Sequence, residues 1–203
     1  MKTIGLVGGV ASGKSLVAKM LVELGAGLLD ADRTGHAVLA EDAKVHRALR
    51  DRWGDAVFTP DGQVDRSAIA RRVFATGESA ELDRRFLEGV LHSRIRRRLD
   101  ALRQQYAAEG RPAAILDAPV LLEAGWGPTC DVLLMVDAPR ELRLQRAQQR
   151  GWTDEEFRRR EASQWPIDDK RREADFLITN DGTQDELRQA VHEFWQVHVA
   201  PPD

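Results

Sequence analysis

Residues Gly8-Gly9-Val10-Ala11-Ser12-Gly13-Lys14-Ser15 match the pattern G-x-x-x-x-G-K-[ST] at every fixed position. The flanks restrict what such a loop can join. Lys2 to Val7 is a short apolar, β-branched run that reads as a buried strand. From Lys14 to Leu24 the apolar residues Leu16, Val17, Met20, Leu21 and Leu24 recur at helical spacing, and Gly25 stands where a helix C′ glycine belongs. A loop that leaves a strand and opens a helix is the context this pattern requires. Its backbone N–H groups form an anion nest, and the helix N-terminus adds a partial positive charge. Glycines let the backbone close around phosphates. The expectation is that Gly9, Val10, Ala11, Ser12, Gly13, Lys14 and Ser15 bind ATP. Lys14 would reach the β- and γ-phosphates, and the Ser15 hydroxyl would ligate Mg²⁺.

The rest of the composition narrows the class. At 203 residues there is room for one full domain with appendages. A net charge of −3 gives no reason to expect nucleic acid. The 25 arginines against 5 lysines suit bidentate phosphate recognition, but a compositional bias gives the same count, so little weight falls on it. The single cysteine, Cys130, excludes an internal disulfide and points to a reducing compartment. It reads as a small apolar residue at the start of a strand. No apolar run approaches transmembrane length, and the N-terminus enters a strand with no signal-peptide pattern. A cytoplasmic protein is expected, with no membrane association and no obligate protein partner.

Strand candidates are Thr3–Val7, Gly27–Leu29, Ala113–Leu116, Asp131–Val136 and a weaker Asp175–Thr179, with helical stretches between them. This alternation predicts an α/β protein with a parallel sheet covered on both faces. Residues just after each strand are then the ones to inspect for a site. The core is expected over 1–33, 111–150 and 175–203. Residues 34–110 read as a helical insertion too long for a simple crossover: helices over Ala43–Trp53 and Asp65–Phe74, a turn at Thr59-Pro60-Asp61-Gly62, and a long helix, whole or broken, over Ser79–Glu109. Residues 151–174 are dense in charge and begin with a capping-box pattern at Thr153-Asp154-Glu155-Glu156, the pattern of a short mobile lid. The tail from Val199 to Asp203 is expected to fray.

Several side chains can be given chemistry. Strand two ends in Leu28-Leu29-Asp30-Ala31-Asp32. Transfer of a phosphoryl group to a hydroxyl needs an acceptor for the hydroxyl proton, and Asp32 is placed for it. Asp30 could position Asp32 or contact Mg²⁺ through water. The alternative is that both cap the next helix. Asp117 ends strand three and reads as a carboxylate on the Mg²⁺ side, or as a solvated strand end. Glu123 reads as a substrate contact or as an orienting group. Arg146 and Arg150 share a helix face. Arg158, Arg159 and Arg160 fall in the lid, where closure would bring guanidinium groups onto phosphates. Asn180 lies in a turn after the last strand, bordering the adenine or simply turning the chain. No histidine pair has metal-ligand spacing.

These residues resemble the dephospho-coenzyme A kinase family over nearly the whole chain. The resemblance rests on Gly8–Ser15, on Leu29-Asp30-Ala31-Asp32, on Val90-Leu91-His92, on Pro119-Val120-Leu121-Leu122-Glu123, on Arg146 with Arg150, on Arg160-Glu161-Ala162-Ser163-Gln164, and on Ala174-Asp175 with Asn180-Asp181-Gly182. It implies a P-loop kinase core, a coenzyme-A-binding helical subdomain and a lid. The implied reaction is ATP-dependent phosphorylation of the ribose 3′-hydroxyl of dephospho-coenzyme A. Asp32 would be the base, Arg146 and Arg160 lid arginines, and His92 a substrate contact. The family usually carries His-Pro where this chain has His92-Ser93, and Pro-Leu-Leu-Phe-Glu where it has Pro119 to Glu123. Both departures touch the acceptor side. Two other readings compete. A nucleoside monophosphate kinase would show an arginine-rich acceptor site early in the insertion, where Asp-Ala-Asp-Arg33 stands instead. A GTP-binding switch would need Asn-Lys-x-Asp, which is missing.

Overall fold

Five short hydrophobic runs hydrogen-bond into one parallel sheet in the computed structural model, which describes residues 1–200. They are β1 (Lys2–Val7), β2 (Gly27–Asp30), β3 (Ala113–Asp117), β4 (Val132–Asp137) and β5 (Phe176–Thr179), in the order β2-β3-β1-β4-β5. In β1 five consecutive residues are buried rather than every second one. That continuous burial is the signature of a sheet covered on both faces. The register sets Asp30 of β2 beside Asp117 of β3, and Leu6 of β1 beside Asp117. The carboxyl ends of three strands therefore fall together.

The helices are α1 (Lys14–Glu23), α2 (Ala31–Glu41), α3 (Ala43–Trp53), α4 (Arg66–Val73), α5 (Glu78–Ala108), α6 (Arg140–Gln149), α7 (Asp154–Ala162), α8 (Ile167–Glu173) and α9 (Gln184–His198). The chain divides into two compact units: Met1–Asp30 with the chain from Leu102 onward, and Ala31–Ala101. The long α5 is one unbroken helix, although the sequence also allows a break.

In the sheet-bearing unit, Val17 and Leu21 of α1 and Leu187, Val191 and Phe194 of α9 bury against Ile4, Leu6, Ile115, Leu134 and Val136. α9 starts with a capping box in which Thr183 and Glu186 exchange side-chain and backbone bonds. Val199 and Ala200, expected to fray, pack against this core; residues 201–203 lie outside the described residues. Gly27 lies under the ring of Tyr106, where a Cβ would stand 2.1 Å from the ring, and Tyr106 Oη donates to Leu28 O at 3.2 Å.

The helical unit has its own core of Val38, Val45, Leu49, Trp53, Val57, Ile69 and Val73. Asp42 caps α3 by accepting from the N–H groups of Lys44 and Val45, and Asp65 caps α4 by accepting from Ala68. The turn read at Thr59–Gly62 is present: Thr59 N–H donates to Gln63 O and Gly62 N–H to Thr59 O, both at 2.8 Å.

Candidate active site

The loop after β1 is held in a shape that most side chains forbid. Gly13 has φ 104 and Ala11 has φ 58. A Cβ on Gly13 would meet Asn180 Nδ2 at 2.1 Å, and one on Gly8 would meet Val136 O at 2.3 Å. Ala11 is the one non-glycine residue with positive φ among the described residues. For an alanine that conformation costs roughly 1–2 kcal/mol.

Side-chain donors converge on the loop's carbonyls. Asn180, buried at the end of β5, donates through Nδ2 to Ser12 O at 2.7 Å. Arg146 of α6 donates to Ser12 O at 3.4 Å and to Asn180 Oδ1 at 3.3 Å. Arg143, one turn earlier, donates to Val10 O at 3.3 Å. Lys14 folds back over its own loop, with Nζ 3.1 Å from Gly8 O and 3.3 Å from Gly9 O. The structure thus brings Gly9, Val10, Ala11, Ser12, Gly13, Lys14, Arg146 and Asn180 together. Ser15 follows in the first turn of α1 with an exposed side chain.

The field at Lys14 is unusual. Burial, and then the charge of Lys170, bring its pKa down from 10.5 to about 8, although Asp117 and Glu123 act in the opposite direction. Lys170 on α8 is buried, with Nζ 2.9 Å from Glu123 Oε1 and 3.0 Å from Gln164 Oε1. Trp165 N–H also donates to Glu123 Oε1, at 2.7 Å. Burial alone would raise the pKa of Glu123. The N–H donors and Lys170 outweigh it and hold the carboxyl below its ordinary value. Burial, and then Arg150, lower the pKa of Arg146. Burial lifts Cys130, next to the start of β4, to about 11, which leaves it a thiol at neutral pH.

Asp30 and Asp117 end adjacent strands, and the charge of Asp117 is felt at Lys14. No group of three or more metal-ligating side chains occurs among the described residues. Mg²⁺ keeps several waters and takes one or two protein oxygens together with substrate phosphates, and Ser15 and Asp117 supply oxygen only. Asp32 and His92 belong to the helical unit: Asp32 in the first turn of α2, where a carboxylate suits the helix dipole, and His92 on the exposed side of α5. Asp32 is therefore inside the helix, not at its cap.

Residues 151–174 form two helices, α7 and α8. The capping box at Thr153 and Glu156 is present. Phe157, alone among charged neighbours in α7, is fully buried with Val10 and Ala147. Arg158, Arg159 and Arg160 are exposed, and Arg160 lies over the Trp152 ring at 4.2 Å. A cavity of about 570 Å³ opens at the carboxyl ends of β1, β4 and β5, lined by Gly9, Val10, Arg143, Glu161, Trp165 and Asp181 among others. Two residues at this site escape sequence reasoning, Arg143 and Lys170. Arg143 is legible only as a third arginine at helical spacing before Arg146. Lys170 is hidden in the charged run Asp168 to Arg172.

Three comparisons with known proteins bear on what this chain is similar to. The profile of the Dephospho-CoA kinase family matches residues 2–186. Dephospho-CoA kinases of Symbiobacterium thermophilum and Corynebacterium jeikeium are each 39% identical to the chain. The first match covers 97% of this chain and 81% of the relative, the second 96% and 98%. The crystal structure of TT1252 from Thermus thermophilus superposes with a TM-score of 0.80 at 31% identity, over 98% of both chains. Dephospho-CoA kinase from Campylobacter jejuni shares the fold, with a TM-score of 0.65 at 22% identity over 98% and 97% of the two chains.

Proposed function

The chain belongs to the dephospho-CoA kinase family, and from that premise we propose how its residues divide the work of phosphorylating dephospho-CoA with ATP, the final step of coenzyme A biosynthesis. The loop from Gly9 to Ser15 takes the ATP phosphates on its N–H groups, and Asn180 braces it from behind. Lys14 leaves the carbonyls of Gly8 and Gly9 for the β- and γ-phosphates. Ser15 and Asp117 would hold Mg²⁺, which would neutralise charge on the phosphate oxygens. Asp32 accepts the proton of the ribose 3′-hydroxyl. Arg146 stabilises the charge on the transferring phosphoryl group. Asp30 and His92 serve the acceptor, and Glu123 does so by holding Lys170 and Trp165. Residues 34–110 bind the acceptor, 151–174 close as a lid, and 1–33, 111–150 and 175–203 carry the nucleotide. The protein works in the cytoplasm, without nucleic acid or an obligate protein partner. No helix among the described residues is long and apolar enough to cross a membrane.

The observation that carries this reading is the loop itself: its carbonyls are engaged by Lys14, Arg143, Arg146 and Asn180. Donors behind a loop that curves through two left-handed residues suit an anion in front of it. Asp32→Asn tests the chemical step. The change keeps the shape of the side chain and removes the proton acceptor. ATP affinity is expected to hold while turnover falls by about 10²–10⁴-fold, the usual loss with a general base. Turnover at the parent rate would reassign Asp32 to the stability of α2.

A further inference from the structure

The sheet-bearing unit holds a buried guanidinium, Arg143, that contacts the phosphate loop and has no assigned part in the reaction. The Arg143 side chain is 5% exposed, and every one of its nitrogens is engaged. Nε donates to Ala138 O at 3.2 Å, Nη1 to Val10 O at 3.3 Å, and Nη2 pairs with Glu161 Oε1 at 2.9 Å. One side chain therefore ties together the phosphate loop, the turn from β4 into α6, and α7. A Cβ on Gly9 would stand 2.8 Å from Nη1, so a larger residue there would push the guanidinium out of this position.

Peptide planarity gives the contact a consequence. The peptide between Val10 and Ala11 is trans, as are all the described peptides, so the Val10 carbonyl and the Ala11 N–H point in opposite directions. Holding the carbonyl against Arg143 turns the Ala11 N–H the other way, away from the guanidinium. Ala11 pays for this orientation with its left-handed φ of 58, so the loop needs a restraint to stay in it. The restraint reaches the lid. Glu161 of α7 accepts from Arg143 through Oε1 and from Arg140 through Oε2, both at 2.9 Å. Phe157, one turn earlier on α7, packs on Val10 with the Arg143 guanidinium 5.7 Å from its ring centre.

We propose that Arg143 is a positioning residue for ATP: it sets the orientation of the Val10–Ala11 peptide and, through Glu161, couples that orientation to the seating of α7. The proposal rests on the reading of residues 8–15 as the ATP site. With α7 seated, the guanidinium is fixed by a carboxylate on one side and holds the loop with the other. With α7 lifted, the loop loses that backing and can relax from its strained turn. Seating of α7 and ATP binding then favour each other, by the same factor in both directions.

Calorimetric titration with ATP, with thermal melting alongside, tests this on the full chain. Arg143→Gln is expected to weaken ATP binding about tenfold, equivalent to 1.4 kcal/mol. Inorganic triphosphate should lose the same factor, and the rate at saturating ATP should change far less than KM. Adding Ala11→Gly to Arg143→Gln should recover most of the loss, because glycine adopts positive φ without strain. A buried arginine that served only the fold would lower the melting temperature and leave the Kd of ATP unchanged; that result overturns the proposal. Glu161→Gln, at a carboxylate 30% exposed and so tolerant of change, should weaken ATP binding about threefold and speed amide exchange in α7. If Arg143→Gln does not fold, parental ATP affinity in Glu161→Gln together with Arg143→Lys overturns the proposal. A folded parent protein that fails to bind ATP removes the underlying reading of the loop instead.

Discussion

Above neutral pH, ATP binding is expected to draw a proton onto Lys14. In the nucleotide-free protein, burial and the neighbouring Lys170 bring this ammonium to about 8, against 10.5 for an unperturbed lysine. Between those two values the unfolded chain binds more protons than the folded one. Stability from this group therefore rises with pH across that window and is flat on either side of it. Phosphates reverse the balance, because their charge favours the ammonium form. At pH 9 about nine-tenths of the Lys14 side chains are neutral before ATP arrives, at pH 8 about half, and at pH 7 about one-tenth. Binding should take up about those fractions of a proton, and ATP affinity should fall by up to about tenfold for each pH unit above 8. Titration calorimetry in buffers of different ionisation enthalpy reads the proton count directly. Lys14→Met should abolish the uptake. Heats independent of buffer at pH 9 in the parent protein would refute the lowered pKa of Lys14, and an uptake that survives in Lys14→Met would refute the assignment of the proton to Lys14.

Other expectations follow from the seating of α7. Phe157→Ala should destabilise the protein by about 3–5 kcal/mol in urea denaturation, the usual range for a buried phenylalanine; a loss below about 1 kcal/mol would mean the ring is not packed on Val10. Amide exchange over residues 151–174 should slow when ATP and acceptor are both bound, and equal protection in the two states would make this segment a fixed face of the unit.

How much of this was legible in the sequence depends on how local its cause is. The strands were, because β1, β3 and β4 are unbroken apolar runs whose burial on both faces leaves no alternation to misread. The helix start at Thr153 was too, because its capping box acts within four residues; the caps at Asp42, Asp65 and Thr183 obey the same rule but were not read as caps from the sequence. The phosphate loop is likewise one segment with one geometry. What the sequence hides is long-range. Asn180 reads as a residue that borders the adenine or only turns the chain, yet its amide donates to Ser12 O, 168 residues away. Arg143 and Lys170 sit in charged stretches that look solvated, and only the fold shows that they are buried. Phe157 is a single aromatic residue in a run of charges, too isolated to mark an apolar face before Val10 and Ala147 are placed against it.

The central claim is the choice of acceptor, and it is tested most directly by coupled ADP release from the purified protein with ATP and Mg²⁺ over a panel of dephospho-CoA, AMP, CMP and pantothenate. Dephospho-CoA should be phosphorylated far faster than the other three. AMP as the better acceptor, or no ADP release with dephospho-CoA from protein that binds ATP, would contradict the account.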